Sequence, residues 1–153
     1  MPSSWRLTKT KHLATAWDGE GAKRAGGRWN SPGVAVIYTS GSLSLALVEI
    51  LVHLTGEILP AYSALRVEFE KSWVSVVAAG ELPANWRDSP PPRETQAIGD
   101  RWVAASTSVV LQVPSVVVPD EFNYVLNPSH PDFRRVAVGP PTSFPFDPRL
   151  RRS

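Results

Sequence analysis

From Ser42 to Leu54 the chain reads Ser-Leu-Ser-Leu-Ala-Leu-Val-Glu-Ile-Leu-Val-His-Leu. This pattern predicts a helix, with Ser42 as its N-cap and Gly56 just past its end. At 100° per residue, Ser42, Ala46, Glu49 and His53 fall within roughly 60° of one another. Apart from Ser44 the other positions are apolar, and a helix apolar nearly all round is expected to be buried. Glu49 then lies on a narrow polar stripe in the middle of a buried element. A buried carboxylate needs a partner. The nearest candidates in sequence are Arg28 and Tyr38; the alternative is a pair with His53 one turn further on.

The other elements follow from shorter patterns. Trp5-Arg6-Leu7 predicts a first strand. Residues 8–33 form a long polar loop with one turn of helix, in which Trp17 and Trp29 argue against disorder. Gly26, Gly27, Pro32 and Gly33 mark its last stretch as irregular, and Val34 to Tyr38 predicts a buried strand. Leu65, Val67 and Phe69 alternate with charged residues as a half-exposed strand does, and Trp73 to Val77 predicts another. Residues 80–92 read as a proline-rich surface connection. Arg93 to Ser106 predicts a helix with Ala97, Ile98, Arg101, Trp102 and Ala105 along one side. Ser108 to Val113 alternates as a strand that Pro114 breaks and Ser115 to Val118 resumes. Asp120 to Pro131 predicts an irregular loop, Phe133 to Val138 a last strand, and the chain from Gly139 a loop or arm. Strands outnumber helices without a βαβ rhythm, which favours an α+β fold with antiparallel or mixed sheets. The length of 153 residues suits one domain, its core over about 5–139 and a proline- and arginine-rich tail over 140–153.

Composition narrows the function classes. There is no cysteine, so neither disulfides nor thiolate metal sites hold the fold, which fits a reducing cytoplasm. No apolar run approaches the ~20 residues needed to span a bilayer, and no secretory signal is visible at the N-terminus. A soluble, cytoplasmic protein is expected. The net charge is only +2, although Arg134, Arg135, Arg149, Arg151 and Arg152 gather toward the C-terminus. That cluster reads as a solvated face with a frayed tail, or as a nucleic-acid groove for which no recognised motif speaks.

Four residues carry candidate chemistry. Arg28, in a glycine-flanked loop, is either a bidentate phosphate clamp or a surface arginine stacked on Trp29. Tyr38 is either a ring that stacks on a flat ligand or an ordinary core aromatic. Glu49 is the sharpest, for the reason above. Glu49 and His53 lack a third metal ligand at readable spacing. Ser115, between Pro114 and three valines, is either a site hydroxyl or a serine bonded to backbone at a strand break. Asn123 and Asn127 read as turn formers, either of which could orient a ligand.

Taken together, Gly27-Arg28-Trp29-Asn30, Val36-Ile37-Tyr38-Thr39-Ser40, Leu45-Ala46-Leu47-Val48-Glu49 with His53, Pro114-Ser115, and Asn123-Tyr124-Val125-Leu126-Asn127-Pro128 with His130-Pro131 resemble the RES domain family. The resemblance runs from Trp5-Arg6 to the strand at Phe133 and stops short of the tail beyond about Gly139. It implies a fold similar to the ADP-ribosyltransferase toxins. It also implies a toxin of a type II toxin–antitoxin pair that consumes NAD⁺ as substrate, by hydrolysis or phosphorolysis of the nicotinamide–ribose bond, with no metal and no resident cofactor. Some members modify a protein with ADP-ribose instead, and that is the alternative activity. A non-catalytic nucleic-acid-binding module is the alternative from another class. The implied partner is an Xre-type helix-turn-helix antitoxin. DNA is then reached only through the antitoxin, no membrane is involved, and a homodimer within the complex is allowed. By motif the family's arginine, tyrosine, glutamate and serine fall on Arg28, Tyr38, Glu49 and Ser115. Asn30 and Asn127 are expected as further substrate contacts.

Overall fold

The computed structural model describes residues 1–54 and 61–150. Its elements are β1 (Ser3–Lys9), α1 (Glu20–Ala25), β2 (Ile37–Ser40), α2 (Leu43–Leu51), β3 (Tyr62–Glu68), β4 (Val74–Val76), α3 (Arg93–Ala105), β5 (Val110–Pro114), β6 (Phe122–Leu126), β7 (Ala137–Val138) and β8 (Thr142–Phe144). All the strands join one sheet in the order β4-β5-β6-β2-β1-β3-β7, and β8 also pairs with β3. The β4–β5 pair is parallel and every other pairing is antiparallel. The fold is therefore α+β on a mixed sheet, as the pattern of elements predicted.

Side chains alternate across each strand, and the registers fix which of them share a face. Trp5 pairs with Ser40, Tyr38 with Val125, and Ser40 with Asn123. Trp5, Leu7, Tyr38, Ser40, Asn123 and Val125 thus point to one side. On that side α2 packs Leu43, Ala46, Leu47 and Ile50 around Leu7, Tyr62 and Ala64. Further along, α3 contributes Trp102 to a cluster of Trp29, Val36, Leu111, Val113 and Val125. The other side buries Ile37, Val67, Phe69, Val110 and Leu126 beneath Trp17 and Trp73.

Several expectations are corrected. The strand expected over 34–38 is β2, over 37–40. Val34 N turns back to Ser31 O, and ladder partners begin only at Ile37, opposite Leu126. Ser42 does cap α2, its Oγ accepting from Leu45 N at 3.1 Å. The helix ends at Leu51 rather than Leu54, because His53 N and Leu54 N bond to Ile50 O and Leu51 O in tighter turns. Nor is α2 buried all round. It rests on the sheet by one side, only Leu45 and Ala46 are fully enclosed, and Val52 just beyond it is 55% exposed. The expected cap at Gly56 lies outside the described residues, as do Arg151 and Arg152. Within 8–33, β1 runs on to Lys9, and a 3₁₀ turn over Thr10–Thr15 and α1 follow.

The second half departs further. Arg93–Ala105 is helical, but its buried residues are Thr95, Gly99 and Trp102, and Arg101 is exposed. The strand does not resume at Ser115: the Ser115 hydroxyl accepts from Val117 N and Val118 N, and that turn displaces the ladder. The loop expected over 120–131 contains β6, which lies between β2 and β5. Phe133 is in a 3₁₀ turn over Pro131–Arg135, leaving only Ala137–Val138 as strand. The tail is not an arm up to Phe146. β8 pairs with β3, and Phe146 meets Tyr62 edge-to-face at 4.9 Å.

Candidate active site

Glu49 projects from the middle of α2, and two residues from separate elements meet its Oε2. Ser115, just past the end of β5, donates its hydroxyl proton at 3.2 Å, and Asn123 of β6 donates from Nδ2. The expected partners, Arg28 and Tyr38, do not bond to it, and His53 is exposed. The sequence could not place β6 beside α2, so it could not supply Asn123. The Ser115 oxygen has one proton to give and two lone pairs. Both lone pairs accept backbone N–H groups, at 3.1 Å each, and the proton goes to Glu49. The hydroxyl is fully committed. In this arrangement it fixes the position of Glu49. Glu49 Oε1 makes no hydrogen bond among the described residues, so the carboxylate presents one oxygen that is held and one that is open.

Arg28 sits between the two bonded residues Gly27 and Asn30 of a tight loop. Its Nη1 donates to the carbonyls of Trp86 and Asp88, at 2.7 and 2.8 Å. Nε and Nη2 make no hydrogen bond among the described residues, so that edge of the fork is free to take an anion. Burial lowers the Arg28 pKa below the usual arginine range, and the negative charge of Glu49, then Tyr38 and Asp88, opposes that shift. The guanidinium thus feels the charge of Glu49 without bonding to it.

Tyr38 braces this loop. Its hydroxyl donates to Asn30 Oδ1 at 2.6 Å and accepts from Trp29 N at 3.0 Å. Burial pushes its pKa well above the usual tyrosine value, Asp100 adds to this, and the Trp29 N–H and Arg28 oppose it. Gly27 permits the approach, since a Cβ there would lie 2.6 Å from the Tyr38 oxygen. Asn30 is fully buried and donates to the Ala22 and Val34 carbonyls, at 2.9 and 3.0 Å. It therefore builds the loop that carries Arg28. From α3, Asp100 accepts from Ser31 N and Oγ, and Gln96 donates to Gly27 O. Asn127 is not brought to Glu49. It lies past the far end of β6, about 13 Å along the strand from Asn123, and its Oδ1 accepts from Ser129 N in a turn.

Two residues escaped the sequence reading. Asn123, which by sequence reads as a turn former that could also orient a ligand, instead sits on β6, and its Oδ1 is buried without a partner. Arg6 was read as part of a strand. Its Nη1 donates to Tyr38 O at 3.0 Å, its Nε is buried without a partner, and burial lowers its pKa against a partly offsetting Asp18. The available signal was an arginine on a strand otherwise read as apolar. Among the described residues no three His, Asp or Glu side chains gather as metal ligands would, and no helix is long and apolar enough to cross a membrane.

The fold has a solved counterpart. The toxin–antitoxin complex MbcT-MbcA of M. tuberculosis contains a chain similar to this one with a TM-score of 0.75 and 20% sequence identity, covering 93% of this chain and 83% of that one. The profile of the RES domain matches residues 3–147. The chain is 40% identical over 149 residues to a Yersinia enterocolitica protein named Toxin Res, covering 96% of this chain and 98% of that protein. It is 37% identical over 157 residues to a Sphingobium protein named Prs ADP-ribosylating toxin, covering 98% and 97%. The chain belongs to the RES domain family. The match reaches Pro145–Asp147, so most of the tail belongs to the family fold as well.

Proposed function

We propose that this protein is the toxin of a toxin–antitoxin pair and that it cleaves the nicotinamide–ribose bond of NAD⁺. The observation that carries the reading is Glu49, half-buried, with Oε2 held by Ser115 and Asn123 and Oε1 open. Breaking the glycosidic bond sends its electron pair to the nicotinamide nitrogen, which leaves as a neutral ring, and builds oxocarbenium character on the ribose. A pre-fixed carboxylate stabilises that charge and takes a hydrogen bond from a ribose hydroxyl or from the attacking water or phosphate. With water the products are ADP-ribose, nicotinamide and a proton; with phosphate, ADP-ribose 1″-phosphate and nicotinamide. The free Nε–Nη2 edge of Arg28 suits the pyrophosphate, and the Tyr38 hydroxyl holds the loop that carries it. The test is NAD⁺ turnover by purified protein, with and without phosphate. Glu49→Gln keeps the shape and removes the charge, so kcat falls at least ~10²-fold with the denaturation midpoint preserved. Turnover at the parental rate by Glu49→Gln sinks the reading.

ADP-ribosylation of a protein is the second reading, favoured by the name of the Sphingobium relative. Nicotinamide released without added protein separates the two. The proposed partner is an Xre-type antitoxin; an antitoxin partner, though not its type, is supported by the structural counterpart being part of a toxin–antitoxin complex. It is expected to cover the Arg28 loop and exclude NAD⁺. Saturating antitoxin then raises the apparent Kd for NAD⁺ on Glu49→Gln protein without limit; a ternary complex with undiminished NAD⁺ affinity places inhibition elsewhere.

A further inference from the structure

The turn that anchors Arg28 carries a second cation. Residues 83–88 form two overlapping turns, with Trp86 N bonded to Pro83 O at 3.1 Å and Asp88 N to Asn85 O at 2.9 Å. The carbonyls left over at the C-terminal end belong to Trp86 and Asp88, and Arg28 Nη1 caps both. Arg87 stands between these two anchors. It is exposed, and its guanidinium carbon lies 4.8 Å from the centroid of the Trp86 ring. Trp86 is half-buried and packs against the cluster of Trp29 and Trp102, so the ring is a fixed platform. The comparison with Arg135 is instructive. It too lies over an indole, that of Trp73 at 5.4 Å, but it is paired with Asp132. Arg87 has no carboxylate partner among the described residues.

A dinucleotide whose pyrophosphate lies on Arg28 extends a nucleoside to each side. One must face Glu49 for the chemistry. Trp86 and Asp88, whose carbonyls hold Arg28, flank Arg87, so a nucleoside leaving Arg28 away from Glu49 can reach an unpaired guanidinium that rests on an indole. Planar bases stack on such surfaces with little demand on hydrogen bonding. We propose that Trp86 and Arg87 form the adenosine-side subsite of this cleft. The proposal rests on the dinucleotide reading of the site.

The test measures binding, so it does not depend on turnover. ADP-ribose and ribose 5-phosphate are titrated by calorimetry into the parent protein, Arg87→Ala and Arg87→Lys. Arg87→Ala is expected to weaken ADP-ribose about tenfold and leave ribose 5-phosphate unchanged, with Arg87→Lys in between because an ammonium stacks less well than a planar fork. Unchanged ADP-ribose affinity in Arg87→Ala overturns the subsite. So does an equal loss for both probes, which would put Arg87 on the phosphate, and so does a parent protein that does not bind ADP-ribose. NAD⁺ turnover by the same parent preparation separates the two readings. Absent turnover with Arg87-dependent ADP-ribose binding fails the hydrolytic reading and keeps the subsite. Present turnover with Arg87-independent binding fails the subsite alone.

Discussion

The hydroxyl of Tyr38 shows how one buried side chain fixes a loop that carries another. It joins Asn30 Oδ1 to Trp29 N and so closes the loop on either side of Arg28. Tyr38→Phe removes both bonds and leaves a buried amide oxygen and a buried N–H unpaired, at a cost of about 1–3 kcal/mol. The pH dependence has a definite sign. Burial raises the folded-state pKa of Tyr38 above its unfolded value of about 10. The stability it contributes is present below about pH 10 and is lost as pH rises above that, because the unfolded chain releases this proton first. Equilibrium unfolding of the parent is therefore expected to weaken more steeply between about pH 9.5 and 11 than that of Tyr38→Phe. Equal slopes would show that Tyr38 is not the group responsible. Ser115 teaches the same lesson: its hydroxyl accepts from Val117 N and Val118 N and donates to Glu49, so the turn it closes also positions the carboxylate.

Among the elements, α3 meets the Arg28 loop at a contact only glycine allows. A Cβ on Gly99 would lie 1.6 Å from the Trp29 carbonyl oxygen, which is backbone and cannot swing aside. Gly99→Ala is expected to push the loop off the helix and loosen the Asp100 and Gln96 bonds, costing about 3 kcal/mol or more. The midpoint of urea denaturation should fall and the KM for NAD⁺ should rise. An unchanged midpoint would mean that α3 and the loop do not meet as closely as this. Legibility in the sequence divides along such contacts. The capped α2, the alternating β3 and the carboxylate on the polar stripe could be read because each depends on neighbours within one or two turns. β6 could not be, because Asn123 and Asn127 resemble turn residues until β2 and β5 flank them. The partners of Glu49 were missed for that reason. Ser115 bonds to backbone at the strand break and to Glu49 at once, so a backbone-bonded serine there still stands beside the carboxylate.

On the scale of the whole molecule, the sheet order brings β1 and the segment from β8 to Phe146 beneath α2, the helix that carries Glu49. β1 and β3 are far apart in sequence yet make seven consecutive pairs, and β8 adds the tail to the outer side of β3. Phe146 meets Tyr62 at 4.9 Å and Phe144 at 5.4 Å, and both phenylalanines join the cluster of Leu7, Ala46, Tyr62 and Ala64. Ala46 lies one turn before Glu49 on α2, so the packing that seats the helix includes the tail. Truncation after Pro140 keeps β7 but removes β8 and both rings. Partial burial of two phenylalanines is worth about 2–4 kcal/mol, and loss of β8 leaves Tyr62, Ser63 and Ala64 unpaired on the outer edge of β3. The truncated chain is expected to lose about that much unfolding free energy and so to unfold at a lower denaturant concentration. Its NAD⁺ turnover should fall at temperatures where it is still folded, because α2 is seated less firmly and Glu49 is held less well against Ser115 and Asn123. Restoring the tail to Phe146 should recover both properties. If the truncated protein keeps the parental midpoint and turnover, the tail is an appendage and the foundation of α2 lies entirely within β1 and β3.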